Sequence, residues 1–318
     1  MARRKRLNRK VAWIGAAVLV VLAASAVWIL SSLTRDPETW VDDADAALAA
    51  GDYDGARRSL SRAYDATREP AARVDLLFRL AQVYIRTGDW TRVMGCWERV
   101  LQEDLGNLRA RLALLETRAL QAEAQVRLGS ADAGIWKDIE TRATELLEVV
   151  TQAGLAGRDA GEWRVAELDD PAGGPEPEPI GLYGLRVRGL ALYQQARLGA
   201  VASPGQWLDK AEADFRRALE IDPAHVEAHR YLSKIAAERA SLLAAGGDVQ
   251  GAEQARAEAV RILEQGVAAA GSRPRSHLYL LDTQLDRVLM GDAEEEIAAR
   301  LNDLEPRFLE MGRSFSAD

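Results

Sequence analysis

The sequence contains very little of the chemistry that catalytic and metal-binding proteins use. Its 318 residues include one cysteine and three histidines. One cysteine excludes an intrachain disulfide, and because Cys96 stands among apolar residues of a helical segment, we expect a buried, unreactive thiol. Nucleotide-binding glycine motifs, a G-x-S-x-G nucleophile motif and a C-x-x-C pair are missing from the sequence as well. The sequence therefore predicts a protein that is not an enzyme and needs no cofactor.

Most of the chain is acidic, but its N-terminus has no acidic residue at all. Six of the first ten residues are Lys or Arg, and the first acid is Asp36. The rest of the chain then carries 49 acids against 35 cations. Because an acidic surface repels phosphates, we expect no nucleic acid among the partners.

An uncharged run follows the basic N-terminus. Val11–Leu33 has no charged residue, and about 20 apolar helical residues are enough to span the hydrocarbon core of a bilayer. Trp13 and Trp28 stand toward its ends, where indole rings favour the membrane interface. We therefore expect a cytoplasmic tail at 1–10 and a single transmembrane helix at 11–33. The positive-inside rule then places the remaining chain beyond a bacterial inner membrane, in the periplasm or an equivalent space.

The alternative for this run is a cleaved signal peptide. Ala24-Ser25-Ala26 is the kind of small-residue triplet that precedes cleavage. The apolar run continues beyond it to Leu30, however, and is longer than the usual apolar region of a signal peptide, about 7–15 residues. No cysteine directly follows the run for lipid attachment. The sequence therefore favours an uncleaved anchor.

Residues 74–107 predict two amphipathic helices joined by a tight turn. Apolar residues recur at three- and four-residue steps on both sides of Gly88-Asp89. Gly88 can end the first helix in a left-handed conformation, and Asp89 can cap the second helix. Neither short helix can bury its apolar face alone, so the unit requires neighbours.

This unit resembles a tetratricopeptide repeat. The positions that carry the resemblance are Leu77, Leu80, Ala81, Tyr84, Gly88, Trp90, Val93, Trp97 and Val100. The usual closing proline is missing, and Leu105 and Gly106 stand there instead. The Gly-Asp turn recurs at Gly51-Asp52, Gly88-Asp89, Gly247-Asp248 and Gly291-Asp292. We therefore expect an all-α fold, a tetratricopeptide-like α-solenoid of about five to six helical hairpins at 34–154 and 181–306, with a C-terminal tail at 307–318.

Helical periodicity fails at 155–180. Pro171, Pro175, Pro177 and Pro179 forbid a helix there, and many Asp and Glu residues make the segment acidic. An insertion of this length is either functional or a solvated connection. One interpretation is a solvated loop, whose replacement would leave the melting temperature nearly unchanged. The other is a partner-docking loop anchored by Trp163.

A pair of histidines has the spacing of a metal site. His225 and His229 are four residues apart, which can place two ligands on one helix face. Val226 stands where the H-E-x-x-H motif has its Glu, and no other His or Cys is near in sequence. We expect solvated histidines at a helix start and no metal.

The resemblance implies a groove that holds a peptide or a partner helix. In the family, five positions of each first helix line this groove. The residues at such positions here are Asp75, Phe78, Gln82, Ile85, Arg86, Arg109, Leu112, Glu116, Arg230 and Lys234. The Lys and Asn residues of the family's carboxylate clamp for chaperone tails are missing, so another helical or extended protein segment is the expected ligand.

The layout is similar to that of other N-anchored periplasmic tetratricopeptide repeat proteins. It implies a membrane-anchored scaffold that binds another protein outside the cytoplasm, as an assembly factor or accessory subunit of a membrane-associated complex. One alternative is an adaptor for periplasmic chaperones or secretion machinery. Another is an accessory region of an enzyme whose catalytic domain lies beyond Asp318.

Overall fold

The computed structural model of the protein describes Ser25 and residues 36–130, 132–163, 178–199 and 203–270. These residues form ten α-helices and one short 3-10 turn, with no β-strand among them, which confirms the predicted all-α class for this part of the chain. The helices are α1 (Pro37–Ala49), α2 (Tyr53–Ala66), α3 (Pro70–Thr87), α4 (Trp90–Glu103), α5 (Leu108–Arg127), α6 (Ala133–Gln152), α7 (Ile180–Arg197), α8 (Pro204–Ile221), α9 (Val226–Ala245) and α10 (Val249–Ala270).

The described helices form two compact units that divide after Asn107. In the first unit α1 packs on α2, α2 on α3 and α3 on α4. In the second unit each of α5 to α9 packs on the helix that follows it, and α7 also contacts α9. Each helix thus buries its apolar face against its neighbours along the chain, as a repeat array requires.

The predicted transmembrane segment Val11–Leu33 lies outside the described residues, apart from Ser25. Among the helices that are described, none is both long and apolar enough to cross a membrane. The Gly291-Asp292 turn, the end of the second hairpin region and the tail at 307–318 also lie outside the described residues.

Three of the predicted Gly-Asp turns connect helices in the same way. These turns are Gly51-Asp52, Gly88-Asp89 and Gly247-Asp248. Their glycines have φ angles of 75°, 71° and 85°, in the left-handed region that other residues rarely adopt. The side chain of each Asp accepts a hydrogen bond from the backbone N–H three residues later and so caps the next helix. The same local chemistry therefore ends one helix and begins the next in both units.

The core of the first unit surrounds Trp97. This side chain is fully buried on α4 with Val93 and Val100, and the centroid of its ring system lies 5.1 Å from that of Phe78 on α3. Cys96 is buried beside it, and burial raises the pKa of the thiol to about 12. The prediction of a buried thiol is therefore confirmed.

In the second unit α7 is buried on almost every side. Of its 18 residues, 14 are buried, whereas a surface helix buries only one stripe. Glycines allow its neighbours to come close, since a Cβ at Gly184 would lie 2.8 Å from Leu147 and one at Gly189 would lie 3.0 Å from the ring of Phe215. This helix therefore organises the packing of α6, α8 and α9.

Both ends of the 155–180 insertion are part of the second unit. The backbone N–H of Ala160 donates to the carbonyl of Glu178 at 2.9 Å, and Ala160 itself is fully buried. Trp163 is partly buried and packs against the hydrophobic core, and α7 begins already at Ile180. Both ends of the insertion are therefore anchored to the second unit, although residues 156–159, 161 and 162 are exposed, and residues 164–177 lie outside the described part of the chain.

A glycine on α10 determines how closely α9 and α10 approach. A Cβ at Gly266 would lie 2.8 Å from both Cβ and Cγ of His229, and the α9 backbone fixes the position of the His229 Cβ. We expect Gly266→Ala to lower the free energy of unfolding by about 1–3 kcal/mol, because the added methyl group forces the helices apart. Gly95→Ala on α4 is the control, since a Cβ there meets nothing within 4 Å and removes a helix-destabilising glycine, with a gain of roughly 0.5–1 kcal/mol. Urea unfolding followed by circular dichroism measures both, and equal stability of the two variants would contradict the close contact.

Candidate protein-binding surfaces

One face of α3 presents the predicted groove positions of the first unit. Asp75 and Arg86 are exposed, and Gln82 and Ile85 are partly buried between them. The side chains of these four residues make no hydrogen bond or ion pair with other described residues. Phe78 is also partly buried, but its ring packs on Trp97. The face therefore combines polar side chains that are free to bind a partner with one aromatic ring that belongs to the core.

The predicted positions in the second unit differ in accessibility. On α5, Arg109 is exposed and Glu116 is partly buried, but Leu112 is fully buried and packs in the core. On α9, Arg230 and Lys234 are partly buried and lie over the ring of Tyr231, at 6.0 and 5.6 Å from its centroid. Cation–π contacts of this kind hold the long side chains against the helix surface. The prediction that these residues bind a protein segment stays a prediction.

The sequence reasoning missed an ion cluster that joins the insertion to α7 and α9. Arg186 donates to Glu178 at 2.9 Å through Nη2, and its Nη1 lies 2.9 Å from Glu227. His225 Nε2 lies 3.8 Å from the Glu178 carboxylate. Burial raises the pKa of Glu178, but the positive charge of Arg186, with His225, more than offsets this, and the net pKa is lowered from the ordinary 4.5 to about 2. The buried carboxylate therefore stays ionised.

We expect this carboxylate to make the second unit sensitive to acid. The folded-state pKa of Glu178 lies below the ordinary value, so its contribution is fully present above about pH 4.5 and is lost as the pH falls towards 2. At pH 7, Glu178→Gln should lower the free energy of unfolding by about 1–3 kcal/mol. Thermal melting at a series of pH values should show this difference vanish near pH 2.

The control for this acid sensitivity is Glu145→Gln. Glu145 pairs with Arg111 at 3.0 Å, but half of its side chain is exposed, and exposed pairs contribute less than about 1 kcal/mol. A difference between wild type and Glu178→Gln that is the same at every pH would show that the charge of Glu178 is not what stabilises the unit.

The two histidines on α9 are not solvated, which corrects the sequence interpretation. His225 is the N-cap residue of α9 and accepts a hydrogen bond from the backbone N–H of Ala228 at 3.1 Å. His229 is only 6% exposed, and its Nε2 lies 2.9 Å from the carbonyl of Pro223, which requires a proton on Nε2. Within the described residues, no group of His, Cys, Asp and Glu is arranged to hold a metal ion.

A pocket of about 490 Å³ lies between the two Gly-Asp turns of the first unit. Its charged residues already have partners there. Arg57 pairs with Asp54 at 3.4 Å, and Arg92 pairs with Asp89 at 3.2 Å and lies over the ring of Tyr84. Because these charges pair with each other at the tips of the hairpins, we expect this pocket to bind charged ligands weakly.

A second pocket, of about 390 Å³, lies between α6, α7 and α8 in the second unit, and we call it the α6–α8 pocket. Its lining residues are Thr144, Leu147, Glu148, Thr151, Gln152, Ala156, Gly181, Leu185, Arg188, Arg217 and Ile221. None of them is among the groove positions that the sequence predicts, because the family pattern assigns α6 and α8 to second helices of a repeat. Hydrophobic spacing alone could not find this pocket, since it forms only when three helices pack.

Comparisons with known proteins give weak structural similarity and no family. No protein-family model and no curated protein matches the sequence. A crystal structure of MamA is 14% identical, covers 77% of this chain and 95% of its own, and has a TM-score of 0.40. MamA from Desulfovibrio magneticus is 14% identical, covers 71% of this chain and 94% of its own, and has a TM-score of 0.35. A tetratricopeptide repeat protein from Parabacteroides merdae is 15% identical, covers 85% of this chain and 92% of its own, and has a TM-score of 0.39. These scores are too low to assign a function, so the description of the fold depends on the helices themselves.

Proposed function

We propose that the chain is a membrane-anchored scaffold that uses its helical hairpins to bind another protein outside the cytoplasm, as an assembly factor or accessory subunit of a membrane-associated complex. Arrays of helical hairpins are suited to this role because each added pair extends a rigid surface. Glu178 and Arg186, two groups of the second unit whose pKa values are clearly shifted, are engaged with each other, which is a structural use of charge.

One observation carries the proposal. Asp75, Gln82 and Arg86 follow one another along α3 at steps of seven and four residues, so they share a helix face. Their polar groups make no side-chain hydrogen bond or ion pair within the described residues. Nearby charges such as Arg79 are paired, in this case with Asp45 at 3.1 Å. A row of unpaired polar groups on a rigid element is suited to contact a partner chain.

Site-specific crosslinking tests this function. A photoreactive amino acid at Gln82 in the full chain, expressed in native membranes, should yield a discrete crosslinked product with one protein. The matched control is the same substitution at Gln102, which is exposed on α4. Equal labelling from Gln82 and Gln102, or none from either position, would contradict binding through the α3 face.

The membrane anchor is part of this proposal and has its own test. Support for it comes from the uncharged run Val11–Leu33 behind six cations. A reporter that is active only outside the cytoplasm should be active when it is fused after Asp318, and the mature protein should begin at or near Met1. N-terminal sequencing that starts at Val27 would instead identify a cleaved signal peptide.

A further inference from the structure

We propose that the α6–α8 pocket binds a peptide segment of a partner protein, through a branched aliphatic side chain flanked by one acidic and one basic residue. The inference extends the proposed scaffold function to a second surface and depends on it. It differs from the α3 face in place and in chemistry, because the α6–α8 pocket is concave and largely apolar at its base.

The base of the pocket is apolar and suited to one aliphatic side chain. Leu147 of α6, Leu185 of α7 and Ile221 of α8 all line it, and Ile221 is exposed although it is a large hydrophobic residue. A volume of about 390 Å³ lies at the lower end of the range of ligand pockets. It is large enough for one aliphatic side chain with adjoining backbone but too small for a whole helix. Burial of such an anchor removes apolar surface from water on both partners.

The charges on the two walls have opposite signs, and Glu148 also attracts Arg188 of the same pocket. Glu148 lies on α6 and Arg217 on α8, and both are exposed and form no ion pair with another described residue. The third charge in the lining, Arg188, donates to both carboxylate oxygens of Asp214 at 2.7 and 2.6 Å and is therefore not available. A peptide with a basic residue on one side of its anchor and an acidic residue on the other would match Glu148 and Arg217.

Close packing at two glycines of α7 positions the helices that form the pocket. Leu147 can lie directly on α7 because Gly184 has no side chain, and the N–H of Gly181 donates to the carbonyl of Ala156 at 3.0 Å. A Cβ at Gly181 would lie 2.9 Å from that carbonyl oxygen. Binding therefore needs little ordering of the protein, which favours affinity.

Selection from a random library of displayed 12-residue peptides tests the proposal. The full chain in detergent micelles is immobilised, and the consensus peptide is then synthesised for fluorescence anisotropy. We expect a consensus with Leu, Ile or Val between an acidic and a basic residue. Thr151→Trp should abolish binding because it fills the pocket, whereas Thr141→Trp should not. Thr141 is exposed on the same helix and does not line the pocket.

Charge reversal tests the recognition chemistry separately from the fold. Arg217→Glu should weaken binding of the consensus peptide by about tenfold, and replacement of the peptide's acidic residue by Lys should restore it. Arg216→Glu is the control, because Arg216 is exposed, pairs with Glu212 and does not line the pocket. Melting curves of every variant show that each is folded.

Three results would overturn the proposal. The first is a library that yields no consensus, and the second is a consensus peptide whose affinity is the same for wild type, Thr151→Trp and Arg217→Glu. The third is a dimer of the full chain that Thr151→Trp converts to a monomer in light scattering, because the occupant would then be a second copy. If the Gln82 crosslink is found and the peptide results fail, the scaffold function stands and only the α6–α8 pocket is excluded.

Discussion

Replacement of Trp97 by alanine is expected to destabilise the first unit by about 3–5 kcal/mol, the usual cost of truncating a fully buried large aromatic residue. Trp97 has no exposed surface and packs against Phe78 of the neighbouring helix. The variant therefore loses the ring contact between Trp97 and Phe78 and leaves a cavity beside Val93 and Val100. Urea unfolding followed by circular dichroism at 222 nm gives the free energy without depending on tryptophan fluorescence.

Trp90→Ala is the matched control for this substitution. Trp90 lies seven residues earlier, at the start of α4, and is 42% exposed. Its truncation should change the free energy of unfolding by roughly 1 kcal/mol or less. A loss below about 1 kcal/mol for Trp97→Ala would mean that this side chain does not support the contact between α3 and α4.

Replacement of Gly157–Pro179 by a short Gly/Ser linker is expected to lower the melting temperature by about 10 °C. The change removes the buried Ala160, the contact of Trp163 with the core and the Glu178 carboxylate that pairs with Arg186. Arg186 then keeps only Glu227 and carries a partly uncompensated buried charge. The sequence alone predicts the opposite result, because the entropy of loop closure depends only weakly on loop length, about 0.6 kcal/mol per doubling.

The control replaces residues 164–177 alone and keeps both anchored ends. This variant retains every contact described for the insertion, so its melting temperature should stay within about 2 °C of the wild type. Differential scanning calorimetry measures both variants on the full chain. If the two linkers lower the melting temperature equally, the anchored ends do not stabilise the second unit.

The parts of the fold that could be predicted from the sequence are those that local chemistry determines. A Gly-Asp pair needs only its own residues to end one helix and cap the next, and the turns at Gly51, Gly88 and Gly247 form as expected. The burial of Cys96 and Trp97 follows in the same way from apolar spacing along α4.

The features that sequence reasoning missed all depend on residues far apart in the chain. In the sequence Glu178 belongs to an acidic loop, and it contacts Arg186 and His225 only because the second unit packs around it. The sequence predicts a solvated side chain at His229, but α10 covers it, and this close approach is possible because Gly266 has no side chain. One predicted groove position, Leu112, shows the same limit. It stands at a repeat position that lines the groove in the family, yet its side chain lies in the core.

The burial of α7 also affects how the chain folds while it is being synthesised. A helix that is buried on nearly all sides cannot be fully covered until its later neighbours exist, so α7 must wait for α8 and α9. At synthesis rates of about 5–20 residues per second, its apolar surface stays open for several seconds after it leaves the ribosome. None of the described helices of the first unit, α1 to α4, is buried over so much of its length, so each can pack against the helix next to it in the chain. Nascent chains that stop between α7 and α9 are therefore the ones in which we expect chaperone binding and aggregation to be strongest.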